Sequence, residues 1–172
     1  TGGRVKIGYQ AGIKLLRAGA QLIVTTRFPR DAANRYAEEA DFDEWGDRLE
    51  VFGLDLRHTP SVEAFCTHLN STRDRLDFIV NNACQTVRRP PDFYRHMMAD
   101  EVAAFDTLDE RHRPLLRSYE QLRESHRAGE PDALARTGAG NRGLSAGGAG
   151  AGGVGIAYAA ELSQVALLPD EY

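Results

Sequence analysis

Three short apolar runs alternate with helical stretches over the first 84 residues, and this alternation constrains the possible fold more than any other feature. The runs are rich in aliphatic and β-branched residues, as expected of strands buried on both faces, and they cover residues 21–26, 49–54 and 76–81. Between and before them, apolar residues recur at helical spacing, which predicts helices over 8–18, 29–40 and 60–70. Such alternation implies βαβ units around a parallel sheet. The predicted fold class is therefore α/β, a Rossmann-like doubly wound parallel sheet.

Composition excludes several classes of protein. The net charge is −4 and no Lys/Arg block is present, so we expect no nucleic-acid partner. No apolar run reaches the roughly 18 residues that span a membrane, and no signal peptide is visible, so we expect no membrane partner. Cys66 and Cys84 give no disulfide framework, which favours a reducing, cytoplasmic location. The five histidines are scattered, so we expect no metal site.

The chain opens on a glycine turn before its first predicted helix. Gly2, Gly3 and Gly8 let the backbone turn tightly and let an anion approach the main chain. The N-terminus of the following helix presents free N–H groups and a partial positive charge. A phosphate site and an ordinary turn both remain open from these residues alone. A strand should precede this turn, so we expect a fragment in which the first strand and the C-terminal half are missing.

Three motifs give this pattern a specific resemblance. The run 1–8, Thr-Gly-Gly-Arg-Val-Lys-Ile-Gly, resembles the TGxxxGIG turn of the short-chain dehydrogenases/reductases. Leu54-Asp55-Leu56 is similar to the family's aspartate after the third strand, and residues 81–84, Asn-Asn-Ala-Cys, are similar to its NNAG motif. The motifs occur in the family's order, each after a predicted strand end. The resemblance covers about residues 1 to 90, with Lys6 and Cys84 standing where the family has glycines.

The resemblance implies a dinucleotide site. The turn would hold the cofactor pyrophosphate, the aspartate would contact the adenine ring, and the NNAG-like turn would line the adenosine side. Lys6 either crowds the pyrophosphate, brings an ammonium to it, or points to solvent. The expected cofactor-binding residues are Thr1, Gly2, Gly3, Arg4, Lys6, Ile7, Gly8, Arg27, Asp55, Leu56, Asn82 and Ala83.

Arg27 bears on the choice of cofactor. It follows the strand 21–26, where an acid prefers the 2′-hydroxyl of NAD and an arginine accommodates the 2′-phosphate of NADP. An arginine can hold a phosphate through two parallel N–H bonds. We therefore expect NADP rather than NAD, the alternative being that Arg27 is a solvated loop residue.

The family's catalytic tyrosine and lysine, four residues apart, are absent. The only lysines are Lys6 and Lys14, and neither follows a tyrosine at that spacing, so no catalytic residue is assigned here. For the full-length protein we expect hydride transfer between NADP(H) and a small carbonyl or alcohol substrate, and possible homo-oligomers. The alternative is a non-catalytic nucleotide-binding scaffold or sensor with the same fold.

Beyond residue 91 the composition changes three times. Residues 1–91 are predicted to form a partial dinucleotide-binding Rossmann domain. A charged helical insertion is expected over 92–136, with its Leu/Phe stripe on the sheet or on a partner. A Gly-rich low-complexity loop over 137–155 and a short helix over 156–172, at a truncated end, complete the predicted organisation.

Overall fold

The computed structural model describes residues 1–84, 91–103, 105–127 and 155–165. Two strands, β1 (Leu22–Thr26) and β2 (Leu49–Gly53), form one parallel sheet. The helices in chain order are α1 (Lys6–Arg17), α2 (Pro29–Ala37), α3 (Thr59–Thr72), α4 (Arg95–Val102), α5 (Arg113–Arg127) and α6 (Ala159–Leu162). None of these helices is long and apolar enough to cross a lipid bilayer. The predicted Gly-rich loop over 137–155 lies outside the described residues except for Gly155, and the final helix is described only as far as residue 165.

The parallel register places the carboxyl ends of both strands at one edge of the sheet. Leu22 lies opposite Leu49, and Thr26 lies opposite Gly53. Just beyond the ladder, the N–H of Leu54 donates to the carbonyl of Thr26 at 2.8 Å. The segments that follow the two strands therefore begin side by side, as parallel pairing requires.

Helix α1 follows the glycine turn and runs back toward the start of β1. It buries Gly12, Ile13 and Leu16 on one face, as its apolar spacing predicts. Gly19 ends it with φ +91°, and the N–H groups of Gly19 and Ala20 return to carbonyls of the last turn at 2.9 and 3.0 Å. This is a Schellman-type end, which favours glycine at the left-handed position. Gly19 therefore fixes where the chain leaves α1 and enters β1.

An aromatic cluster fills the space between α1, α2 and the segment before β2. The Tyr36 ring lies 4.8 Å from that of Tyr9 and 6.3 Å from that of Trp45, measured between centroids. Trp45 in turn packs edge-on against Phe42 at 5.3 Å. Tilted and edge-to-face pairs at these distances add to the stability of buried rings. The cluster thus fixes α2 against α1.

Helix α5 covers β2 with an apolar stripe. Leu115, Leu116, Tyr119 and Leu122 belong to the same buried cluster as Val51 and Phe52 of β2. Gly53 leaves the space for Tyr119, since a Cβ at position 53 would overlap the tyrosine hydroxyl group. That hydroxyl group donates to the carbonyl of Ile156 at 3.0 Å. The stripe of the charged helical region therefore packs on the sheet.

The prediction of a third strand over 76–81 is wrong for this structure. Residues 73–84 form neither helix nor strand, and the side chains of Leu76, Phe78, Ile79 and Val80 are 54–87% exposed. A strand needs a ladder of backbone hydrogen bonds with a neighbour. Among the described residues, this segment instead accepts a bond from the Thr1 ammonium at its Val80 carbonyl, at 2.6 Å.

Gly12 and Tyr36 provide a test of this packing. A Cβ at position 12 would overlap the Tyr36 hydroxyl group, whereas its next neighbours are Leu22 at 3.2 Å and the Tyr36 Cζ atom at 3.4 Å. We expect Gly12→Ala to lower the free energy of unfolding by about 1–3 kcal/mol. In a Tyr36→Phe background the hydroxyl group is gone, and the same change should cost at least about 1 kcal/mol less.

Urea unfolding of the four variants of the full-length protein measures this coupling. The better helix propensity of alanine, about 1 kcal/mol over glycine, should then become visible in the Phe background. Additive effects of the two changes would contradict the packing described here.

Candidate functional site

Four segments meet at the carboxyl edge of the sheet. The N-terminal turn reaches this edge because the N–H of Gly2 donates to the carbonyl of Thr25, near the end of β1, at 3.0 Å. Arg27 follows β1, and Leu54 and Asp55 follow β2. The segment 80–83 lies against the turn. The predicted site residues are therefore brought to one edge.

The turn is built around Gly2 and Gly8. Gly2 has φ +69°, and its carbonyl accepts a hydrogen bond from Asn82 Nδ2 at 3.0 Å. A Cβ at Gly8 would overlap both that carbonyl and the Asn82 amide. A Cβ at Gly2 would lie 2.8 Å from the backbone of Ala83. Both positions therefore require glycine, because the Asn82–Ala83 segment lies directly on the turn.

Lys6, which stands where the family motif has a glycine, adopts a left-handed backbone conformation. Its φ is +53°, the only positive φ of a non-glycine residue among the described positions. This left-handed region costs an L-residue roughly 1–2 kcal/mol. The Lys6 side chain is exposed, and that of Ile7 is 77% exposed. The lysine thus keeps the shape of the turn with its side chain accessible to solvent.

The segment beside the turn contacts the first residue directly. The N–H of Ala83 donates to the Thr1 hydroxyl group at 3.3 Å. Together with the bond from Asn82 to Gly2, this contact joins the two motifs that the sequence places 80 residues apart. Cys84, which stands where the family motif has a glycine, is exposed.

The first turns of α1 and α2 differ in how their free N–H groups are satisfied. Helix α1 has no side-chain cap and no acidic residue in its first turn, so the N–H groups of residues 6–8 have no partner within the helix. In α2, the Glu101 carboxylate accepts from the N–H of Arg30 at 3.1 Å and from that of Asp31 at 2.9 Å. The Glu101 carboxyl group therefore already caps α2, whereas the first turn of α1 has no side-chain cap and no acidic residue.

Three arginines lie near the end of β1, and their surroundings differ. Arg4 forms an ion pair with Asp31 at 2.7 Å, and Asp31 also binds Arg35 at 2.6 Å. Burial opposes ionisation of Asp31, but the hydrogen bonds from Arg35 and Arg4 hold its pKa below the usual value. Arg30 is 4% exposed, and burial lowers its pKa. Neither Arg4 nor Arg30 is placed to receive a phosphate.

Arg27 has aromatic neighbours instead. Its guanidinium carbon lies 5.5 Å from the centroid of Phe28 and 5.1 Å from that of Tyr94. No carboxylate pairs with Arg27 within the part of the chain that the structure describes. Contact with ring faces orients a guanidinium and leaves its N–H groups available.

Asp55 is 1% exposed and fully engaged by its neighbour Arg57. The carboxylate accepts from the Arg57 backbone N–H at 3.0 Å and from Arg57 Nη2 at 2.6 Å. Arg57 also donates to the carbonyls of Leu162 and Val165 at 3.3 Å, which ties the α6 region to this loop. The exposed side chain on this loop is Leu56, at 46%.

Sequence reasoning missed Glu101, Arg57 and the role of Tyr36. The Tyr36 hydroxyl group donates to the carbonyl of Gly3 within the turn at 2.9 Å. In the sequence, Tyr36 was only one member of an apolar helix face, and Glu101 one acid among many. For the Asp55–Arg57 ion pair, the spacing of two residues was the one local signal that the sequence offered.

The comparison with known proteins agrees with these motifs. A family model described as short chain dehydrogenase matches residues 1–106. The chain belongs to the short-chain dehydrogenase/reductase family. This is a family of NAD(P)-dependent oxidoreductases with a Rossmann-like fold.

Each of the similar curated proteins matches about half of the chain. An uncharacterized protein of Acanthamoeba polyphaga mimivirus is 39% identical over 92 residues, covering 50% of this chain and 20% of the relative. Dehydrogenase/reductase SDR family member 13 of Bos taurus is 34% identical over 98 residues, covering 52% and 25% respectively. The human protein of that name is 34% identical over 87 residues, covering 48% and 22%. The chain thus spans a quarter or less of their length, and no solved structure matches it.

Glu101 gives a pH-dependent prediction. Burial raises its pKa from 4.5 to about 7, although the N–H groups of Asp31 and Arg30 and the Arg30 charge favour the ionised form. Between these two pH values the folded carboxyl group holds a proton that the unfolded one has lost. The stability from this group is therefore fully present below pH 4.5 and is lost as the pH rises to about 7.

Glu101→Gln should reduce this pH dependence. The loss expected in the native protein over that range is on the order of 3 kcal/mol. Urea unfolding of the full-length protein at several pH values measures it, with Glu110→Gln on the exposed surface as the matched control. Identical pH profiles for the native protein and Glu101→Gln would contradict the assignment.

Proposed function

We propose that the full-length protein is an NADP-dependent oxidoreductase and that this chain binds the cofactor. The bound cofactor would exchange a hydride with a carbonyl or alcohol carbon of a small-molecule substrate. The observation that carries the NADP preference is Arg27, whose guanidinium lies on two aromatic rings after β1 without a carboxylate partner among the described residues.

The residues of the site fit such a group. The open first turn of α1 offers the N–H groups of Lys6, Ile7 and Gly8 to a pyrophosphate. The Lys6 ammonium adds a point charge at the same end. At Gly2 and Gly8 a Cβ would overlap the Asn82–Ala83 segment or the turn itself, so these glycines support the proposal by keeping the turn compact.

The remaining predicted residues hold or border this turn. Asn82 and Ala83 fix its far side, and Thr1 accepts a hydrogen bond from Ala83. Arg4 and Asp55 act through their ion pairs, Arg4 on the start of α2 and Asp55 on the loop after β2. We assign Leu56, which is exposed at that loop, to the adenine edge of the site.

The coding sequence on both sides of this chain tests the oxidoreductase assignment. A hydrophobic strand directly before Thr1, and a tyrosine followed four residues later by a lysine within about 100 residues after Tyr172, would support it. Without such a pair, the same chain would fit a nucleotide-binding scaffold or sensor. Tight NADPH binding with no turnover on a panel of carbonyl substrates would identify that alternative.

Arg27→Asp tests the cofactor preference. We expect the change to weaken NADPH binding by about ten- to a hundredfold and to leave NADH binding within about threefold, since a charged hydrogen bond contributes roughly 1.5–3 kcal/mol. Calorimetric titration of the full-length protein with each cofactor measures both values.

Lys14→Asp is the matched control, because it makes the same change of charge near the C-terminal end of α1. Lys14 is exposed, and α1 runs antiparallel to β1, which places its end at the opposite edge of the sheet. Equal weakening of both cofactors by Arg27→Asp would refute the NADP assignment.

A further inference from the structure

We propose that Tyr36 is a positioning residue for the phosphate-binding turn, acting through the carbonyl of Gly3. This inference rests on the proposed function, since it concerns the same cofactor site. Tyr36 belongs to α2, outside the three motifs, and its hydroxyl group reaches the turn from the side of the core.

The contact is direct and buried. The Tyr36 hydroxyl group donates to the Gly3 carbonyl at 2.9 Å, and the tyrosine is 0% exposed. Burial raises the pKa of this hydroxyl group, so it stays a protonated donor throughout the physiological range. A buried carbonyl without a partner would carry the cost of its own desolvation. The bond therefore fixes the direction in which the Gly3 carbonyl points.

The tyrosine itself is held rigidly. Its ring packs between those of Tyr9 and Trp45. Gly12 on α1 provides the space for its hydroxyl group, and Gly3 lies against Val24 so closely that a Cβ there would be 2.8 Å from the valine. Ring, hydroxyl group and turn thus form one packed unit across α1, α2 and β1.

Fixing the carbonyl also fixes an N–H group. In a trans peptide the carbonyl and the N–H point in opposite directions, so the N–H of Arg4 points away from Tyr36. A flipped Gly3–Arg4 peptide would turn a carbonyl oxygen outward, and a carbonyl oxygen repels a phosphate. The hydroxyl group of Tyr36 prevents this flip, and the turn is already arranged for an anion before one binds.

Tyr36→Phe tests the inference, because it removes the hydroxyl group and keeps the ring. Tyr9→Phe is the matched control: its hydroxyl group bonds to the Arg35 carbonyl and to Glu39, away from the turn. The probes are NADPH, NADH and adenosine 2′-monophosphate, titrated into the full-length protein by calorimetry or competition. The last of these carries the 2′-phosphate and lacks the pyrophosphate.

We expect Tyr36→Phe to weaken NADPH and NADH by the same factor, about three- to tenfold, the loss of one hydrogen bond. Adenosine 2′-monophosphate should bind within about twofold of the native protein, and Tyr9→Phe should leave all three affinities unchanged. This pattern separates a role at the pyrophosphate from a general loosening of the fold, which would weaken all three probes.

Unchanged affinity of Tyr36→Phe for both dinucleotides would overturn the inference and leave the proposed function standing. Equal weakening of adenosine 2′-monophosphate would overturn it too, since the hydroxyl group would then act on the whole domain. If the native protein binds neither NADPH nor NADH, the proposed function itself fails, and the inference fails with it.

Discussion

The parallel pairing of β1 with β2 is the constraint on which the rest of the site depends. Because Thr26 lies opposite Gly53, the chain leaves both strands at the same level, and Arg27 and Asp55 start from neighbouring positions. The turn then attaches to this edge through Gly2 and Thr25. A shift of one residue in the register would turn every side chain of a strand to the opposite face. The position of each binding residue is therefore a consequence of backbone pairing.

The periodicity of apolar residues predicted those elements whose formation depends mainly on local sequence. The first three helices and the first two strands follow apolar periodicity, and their observed ends differ from the predicted ones by three residues at most. The segment 76–81 has equally strong strand character, but a strand also needs a neighbour, and periodicity carries no information about one. Phe78, 87% exposed, shows the result: a side chain suited to a core lies in solvent because the backbone has few hydrogen-bond partners among the described residues.

The electrostatics of the site were less predictable because they depend on contacts between distant residues. The sequence predicted Arg4 and Arg27 as cofactor-binding residues, and Arg30 lies only three positions after Arg27. Arg4 forms an ion pair with Asp31, and Arg30 is buried, so neither guanidinium is open to a phosphate. In both cases the deciding neighbours lie 27 residues away or more in the sequence. Glu101 is another distant residue that changes the site. Its carboxyl group occupies the N-terminus of α2, which would otherwise compete with α1 for an anion.

The backbone at Lys6 shows why a glycine suits this position of the motif, namely its positive φ. The backbone keeps φ +53° with a lysine in place, so the left-handed conformation belongs to the turn and not to the residue. A cost of roughly 1–2 kcal/mol can persist only where surrounding contacts determine the conformation. The turn has such contacts: Gly2 is hydrogen-bonded to Thr25 and Asn82, and Gly3 to Tyr36. The lysine is tolerated because the turn is held on both sides, and its ammonium then stands at the N-terminus of α1, which has no side-chain cap and no acidic residue in its first turn.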